Sequence, residues 1–106
     1  IVTCNDVLEH LEHPEKALKH MYGALKKGGI LYVNTPNLNL LRKMLFRYAD
    51  AREHHISLLS RRALFDALTH AGFAVLDHWT WINIAPFFFL TFRSNLGTES
   101  AFICRK

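Results

Sequence analysis

The chain has 106 residues, half of them apolar and 21% charged, with a formal net charge of +4. That size suits one domain, and that balance belongs to a folded chain, which excludes intrinsic disorder and a two-domain arrangement. The basic residues are scattered through the sequence, so charge gives no nucleic-acid-binding run, and solvated helix faces account for most of them.

Cys4 and Cys104 stand at opposite ends with no CxxC partner. They read as small buried hydrophobes, with no requirement for an oxidising compartment. Ile1 to Asn5 carries no basic region ahead of an apolar run, so it does not read as a signal peptide. The longest apolar stretch, Ile84 to Phe92, is broken by Pro86 and Thr91 and is far short of the ~20 residues a membrane helix needs. The expectation is a soluble, cytoplasmic protein. A chain that opens without methionine, inside an apparent strand, is expected to be part of a longer one.

In chain order, Ile1 to Asn5 is a β-branched run with a polar end, a short buried strand. Pro14 suits the first turn of a helix, with Glu12 and Glu15 near its positive end. Ala17, Leu18, Met21, Tyr22 and Leu25 give that helix one apolar stripe, and Gly28-Gly29 ends it. Ile30 to Thr35 is a second strand, stopped by Pro36. This strand–helix–strand unit has the length of a βαβ crossover, so parallel pairing is expected. Leu38, Leu41, Met44, Leu45 and Tyr48 predict a second helix with an apolar stripe. Ser60 is an N-cap for a third, with Leu64, Phe65, Leu68 and Ala71 on one face and Gly72 at its stop. Phe73 to Trp81 and Ser100 to Arg105 are two further strands. Between them, Phe87-Phe88-Phe89-Leu90 reads as a helix packed on the sheet. Its alternatives are a lid, an apolar pocket, or a peripheral membrane contact helped by Arg93.

Asp6-Val7-Leu8-Glu9-His10-Leu11 with Pro14, then Leu25-Lys26-Lys27-Gly28-Gly29-Ile30-Leu31-Tyr32-Val33, resembles class I S-adenosylmethionine-dependent methyltransferases of the type 11/12/23 kind. His54-His55, then Ser60 through Ala71-Gly72-Phe73-Ala74-Val75, resembles the family's later "H…S…L…L…AGF" segment. The resemblance implies an α/β, Rossmann-like methyltransferase sheet ordered 3-2-1-4-5-7-6. This chain would hold strands 4, 5, 6 and 7 with their helices, strand 7 antiparallel. It implies that residues 1–106 are the carboxyl-terminal part of a single methyltransferase domain. The glycine-rich cofactor loop is not among them, because Gly28-Gly29 closes a helix where such a loop opens one. Negligible S-adenosylmethionine affinity is therefore expected of the chain alone. In that order strand 4 becomes an edge without Lys or Pro protection, an invitation to self-association.

Ligands of parallel α/β sheets sit beyond the carboxyl ends of the strands. The resemblance places Asn5 and Asp6 near the cofactor, with Glu9-His10 beside them and Pro36-Asn37 across the crevice. Asp6, Glu9 and His10 with the distant His54-His55 are similar to the divalent-ion site of ubiquinone-pathway O-methyltransferases and small-RNA 2′-O-methyltransferases. Asp6, Glu9, His10 and His55 are then the candidate ligands for Mg²⁺ or Zn²⁺. The alternative is structural, with Glu9 capping a helix and His10 packing against the strand. His10, His54 and His55 are the candidate catalytic residues, with His54 or His55 as a general base on an acceptor hydroxyl. His13, His20, His70 and His78 read as surface or helix-end residues. The implied activity is methyl transfer to a small-molecule, hydroxyl-bearing acceptor. Rival readings are a non-catalytic folded remnant and an RNA 2′-O-methyltransferase, the latter without the expected basic–aromatic surface.

Overall fold

The computed structural model describes residues 1–85 and 88–106, the side chains of Ala49, Ile84 and Ala85 excepted. Val2–Asn5 forms β1, a 3-10 turn follows at Leu8–His10, and α1 runs Pro14–Ala24 into β2 at Ile30–Pro36. Pro14 opens α1 where its missing N–H costs nothing. The chain leaves the helix through Gly28, whose φ of 78° only glycine adopts without strain. Leu18 is fully buried against the sheet, the outcome its stripe dictates.

Next come two short helices, α2 (Leu40–Leu45) and α3 (Arg47–Arg52), then α4 (Arg61–His70). Ser60 caps α4, its hydroxyl accepting from the Ala63 N–H at 3.2 Å, and Leu64 and Leu68 enter the core. The last three strands are β3 (Ala74–Ala85), β4 (Phe88–Phe92) and β5 (Glu99–Arg105).

All five strands join one sheet in the order β1-β2-β5-β3-β4. β1 and β2 are parallel, with Cys4 opposite Val33, as the crossover length requires. β5 lies between β2 and β3, antiparallel to both, so Phe102 faces Val33 on one side and His78 on the other. The expected order 4-5-7-6, with strand 7 antiparallel, is therefore the order of the first four strands. The fifth, β4, extends the sheet beyond β3. β1 is an edge, with no strand paired to its outer side among the described residues.

The core fills one face of the sheet. Cys4, Leu31, Val33, Phe102 and Cys104 pack there against Leu18 of α1 and Leu64 and Leu68 of α4. On the opposite face Tyr32, Asn34, Trp79, Trp81 and Phe89 line an open groove with Asn5, Asp6 and Thr91.

Three expectations need correcting. The stripe from Leu38 to Tyr48 is not one helix with a buried apolar face. The segment breaks between α2 and α3, and Met44 and Tyr48 are 71% and 78% exposed. Arg42 turns inward instead, because the carboxylates of buried Asp50 and partly buried Glu99 await it. An apolar period alone cannot weigh that ion pairing. The Phe88-Phe89-Leu90 part of the aromatic segment is a strand, not a helix packed on the sheet, and its side chains are exposed; Phe87 lies outside the described residues. β-propensity of consecutive aromatics and pairing with a lengthened β3 decide it. Finally, His78 is no surface residue. It lies half-buried in β3, edge-on to Phe102 with ring centroids 5.2 Å apart.

Candidate functional site

Beyond the carboxyl ends of β1 and β2 lies a cavity of about 380 Å³, walled also by α2, β3 and the start of β5. The chain reaches it from β1 by a sharp turn at Asp6, which adopts the left-handed φ of 49°. Its N–H bonds to the Asn34 carbonyl at 2.9 Å, which extends the β1–β2 ladder by one rung. The Asn34 amide donates to Asp6 Oδ1 at 3.4 Å and accepts from Trp81 Nε1 at 3.1 Å. Asp6, Asn34 and Trp81 thus brace one side of the cavity.

Glu9 sits on the 3-10 turn and is only 1% exposed. Its Oε2 accepts from the Thr35 hydroxyl at 2.9 Å, while its Oε1 is buried without a hydrogen-bond partner. It does not cap a helix through that carboxylate, as the structural alternative expected. The Glu9 backbone carbonyl accepts from the N–H groups of both Ile56 and Ser57 at 2.9 Å. This pair of backbone hydrogen bonds carries His55 across 45 intervening residues to the turn. The His10 and His55 rings meet edge to face, centroids 4.9 Å apart. One ligand atom each from Glu9, His10 and His55 lies within 4.8 Å of the others.

Behind His55 is a buried ion network. Asp50 Oδ1 is 3.0 Å from His55 Nδ1 and 2.6 Å from Arg42 Nη2, while Arg42 Nη1 meets Glu99 at 2.6 Å. Burial works to raise the Asp50 carboxyl, but the hydrogen bonds from Arg42 and His55 outweigh it and hold it below the usual carboxylate range. At Glu99 burial wins: Arg42 opposes it, Asp6 and Glu9 add to it, and the carboxyl is raised.

The fold therefore brings Glu9, His10 and His55 together. Asp6 lines the same cavity, but its left-handed turn aims its carboxylate at Asn34 and leaves it outside that cluster of three. Asn5 lines the open groove, which shares Asp6, Asn34 and Trp81 with the cavity, but not the cavity itself. His54 is exposed, at a left-handed φ of 55°, and does not line the cavity. Pro36 closes the end of β2 into the cavity, whereas Asn37 is buried and donates to Asn95 and Gly97. Sequence reasoning missed Thr35, Arg42, Asp50, Trp81 and Glu99. An arginine four residues after Leu38, beside the apolar stripe, was the available signal for Arg42; Asp50 and Glu99 had none.

The methyltransferase domain family model matches residues 1–78. No curated protein sequence matches the chain. Solved structures align over nearly its whole length, among them the following three. A SAM-dependent methyltransferase of Thermotoga maritima, named as a possible histamine N-methyltransferase, has a TM-score of 0.77 at 19% identity. One from Archaeoglobus fulgidus has 0.70 at 18%, and an O-methyltransferase family protein of Burkholderia thailandensis has 0.65 at 23%. The alignments cover 98%, 99% and 99% of this chain but 54%, 58% and 29% of those chains. At such identities the likeness is one of fold. No described helix is long and apolar enough to cross a membrane.

Proposed function

The chain belongs to the methyltransferase domain family, and we propose that its complete protein transfers a methyl group from S-adenosylmethionine to a hydroxyl of a small-molecule acceptor. The observation that carries this reading is the convergence of Glu9, His10 and His55 on one cavity beyond β1 and β2. When bound, the cofactor supplies an already activated methyl group on a sulfonium, so the protein's work is placement and removal of one proton. The cavity lining suits a cationic sulfonium. Asp6, Glu9 and Glu53 face it with Trp81 and Phe46, while the charge of Arg42 is taken up by Asp50 and Glu99.

His55 is the proton acceptor in this reading. Its Nε2 lies on the cavity side with Glu53, its other nitrogen being engaged by Asp50. Glu9 Oε1, buried and unpartnered, is free to accept a hydrogen bond from an acceptor hydroxyl. The test is release of S-adenosylhomocysteine by the complete protein over matched alcohol, phenol and amine acceptors. Turnover with a hydroxyl acceptor that falls roughly 10²–10⁴-fold in His55→Ala supports the reading. Methylation of amines alone, or full activity of His55→Ala, sinks it.

A second reading adds a divalent ion, and the orphaned Glu9 Oε1 is the observation that favours it. Glu9, His10 and His55 would hold the ion. One carboxylate with two imidazoles fits Zn²⁺ better than Mg²⁺, which prefers an all-oxygen shell. Such an ion would lower the pKa of an acceptor hydroxyl. This version also admits an RNA 2′-hydroxyl, which belongs in the acceptor panel. Metal analysis of the purified protein checks it: stoichiometric zinc lost in Glu9→Gln supports the ion, and metal-free protein with full turnover removes it.

A further inference from the structure

The wall behind His55 holds a network that no motif of the sequence marks. Arg42 is 4% exposed and turns its guanidinium inward. Nε lies 3.1 Å and Nη2 2.6 Å from the Asp50 carboxylate, and Nη1 reaches Glu99 at 2.6 Å and the Thr98 carbonyl at 2.9 Å. That grip fixes Asp50 in place, and the remaining partner of its Oδ1 is His55 Nδ1 at 3.0 Å.

We infer that Asp50, locked by Arg42, is a positioning residue that keeps the neutral His55 ring protonated on Nδ1 and so leaves the Nε2 lone pair for the cavity. The reasoning is one of donors and acceptors. A carboxylate offers only lone pairs, so the ring nitrogen facing it must bring the hydrogen. A neutral imidazole has one N–H, and spending it at Nδ1 makes Nε2 an acceptor. Carboxylate-backed histidines at working sites are oriented in the same way.

Glu53 competes for the other tautomer, since its Oε2 lies 3.2 Å from Nε2. The two carboxylates are unequal. Glu53 is 63% exposed, free to turn away into water, and such surface pairs contribute little. Asp50 is buried, and Arg42 forbids it to leave. His10 meets the ring edge to face and Glu9 stands nearby, but neither is hydrogen-bonded to Nδ1. Asp50 therefore sets the tautomer, and Glu53 is the group an incoming ligand displaces.

The use of the freed lone pair rests on the proposed role of His55; the tautomer does not. The experiment separates the two. Nitrogen-15 spectra of the histidine-labelled complete protein, at a pH where the ring is neutral, are recorded with the His55 signals assigned by their loss in His55→Gln. We expect Nδ1–H in the wild type, in Glu53→Gln and in Asp50→Glu, and loss of that preference in Asp50→Asn. Backbone amide dispersion verifies that each variant is folded. In the complete enzyme Asp50→Asn then lowers kcat roughly 10–100-fold, the usual effect of such supporting groups, with KM changed less than about twofold. Nε2–H in the wild type overturns the inference without recourse to any variant, as does an unaltered tautomer in folded Asp50→Asn. Nδ1–H with a fully active His55→Ala sustains the inference and defeats the proposed catalytic role.

Discussion

The Thr35 hydroxyl donates a 2.9 Å hydrogen bond to Glu9 Oε2, and both side chains are sealed from solvent. It is the one hydrogen bond the Glu9 carboxylate receives among the described residues, because Oε1 has no partner. Thr35→Val keeps the shape and removes the donor, leaving a buried carboxylate unsatisfied. A loss of about 1–3 kcal/mol is expected, read from the urea midpoint, with Thr35→Ser close to wild type. A Val variant as stable as the wild type would show that something other than Thr35 satisfies Glu9.

Gly97 sits where no side chain fits. A Cβ there would lie 2.3 Å from the Trp81 backbone nitrogen and 2.6 Å from Thr80 Cβ. The close approach is held by Gly97 N–H on Thr80 Oγ1 and by the Asn37 and Asn39 amides, which both donate to the Gly97 carbonyl. Gly97→Ala must push β3 away from the start of β5, and with it Thr98, Glu99 and Trp81 of the cavity wall. Overpacking of this kind costs roughly 1–3 kcal/mol. The melting temperature measures the loss, and an unchanged one would mean the loop moves freely.

These two contacts show where the sequence stopped being legible. Pro14, Ser60 and the glycines after α1 and α4 act locally, and each stands in the structure where local chemistry puts it. Parallel pairing of β1 and β2 followed from the length of the crossover, and the place of β5 between β2 and β3 from the resemblance. Glu9, His10 and His55 were legible as residue types in a motif. Their meeting depends on two backbone bonds from Ile56 and Ser57 to the Glu9 carbonyl, which no pattern announces. The α2–α3 segment misled because its apolar residues keep a helical period, while its energetics are set by Arg42 and two carboxylates, one of them 57 residues away. Long-range ion pairing leaves no trace in local periodicity.

Arg42 is accordingly the residue whose loss should be felt most widely in this part of the chain. Arg42→Met fills similar volume but strands the buried Asp50 and partly buried Glu99 carboxylates without their cation. Removing one partner of a buried pair typically costs about 3–5 kcal/mol. Arg42→Lys keeps the charge, loses the fork that spans Asp50 and Glu99 together, and should fall between. Equilibrium denaturation orders the three proteins. Met as stable as wild type would mean that water reaches the carboxylates and that the network is not a fixed support for His55.

Cys104 on β5 lies between Leu31 of β2 and Val75 of β3, and burial pushes its thiol up to about 12. Cys4 on β1 rises to about 11, by burial first and then by the Glu9 and Asp6 charges. Both values exceed the 9.0 of the unfolded chain. Below pH 9 each thiol is protonated in folded and unfolded chains alike, and its stabilising contribution is fully present. Above pH 9 the unfolded chain ionises first, so stability falls with rising pH until the folded thiols titrate in turn. The slope is about 1.4 kcal/mol per pH unit for each thiol. Urea midpoints taken from pH 8 to 11 should decline, and less steeply in Cys104→Ala once its lower starting stability is subtracted. At pH 8 a thiol reagent should find neither cysteine until denaturant is added. Prompt labelling of Cys104 in native buffer would show that the β2–β5–β3 centre opens, and with it the support on which Glu99, Arg42 and finally His55 depend.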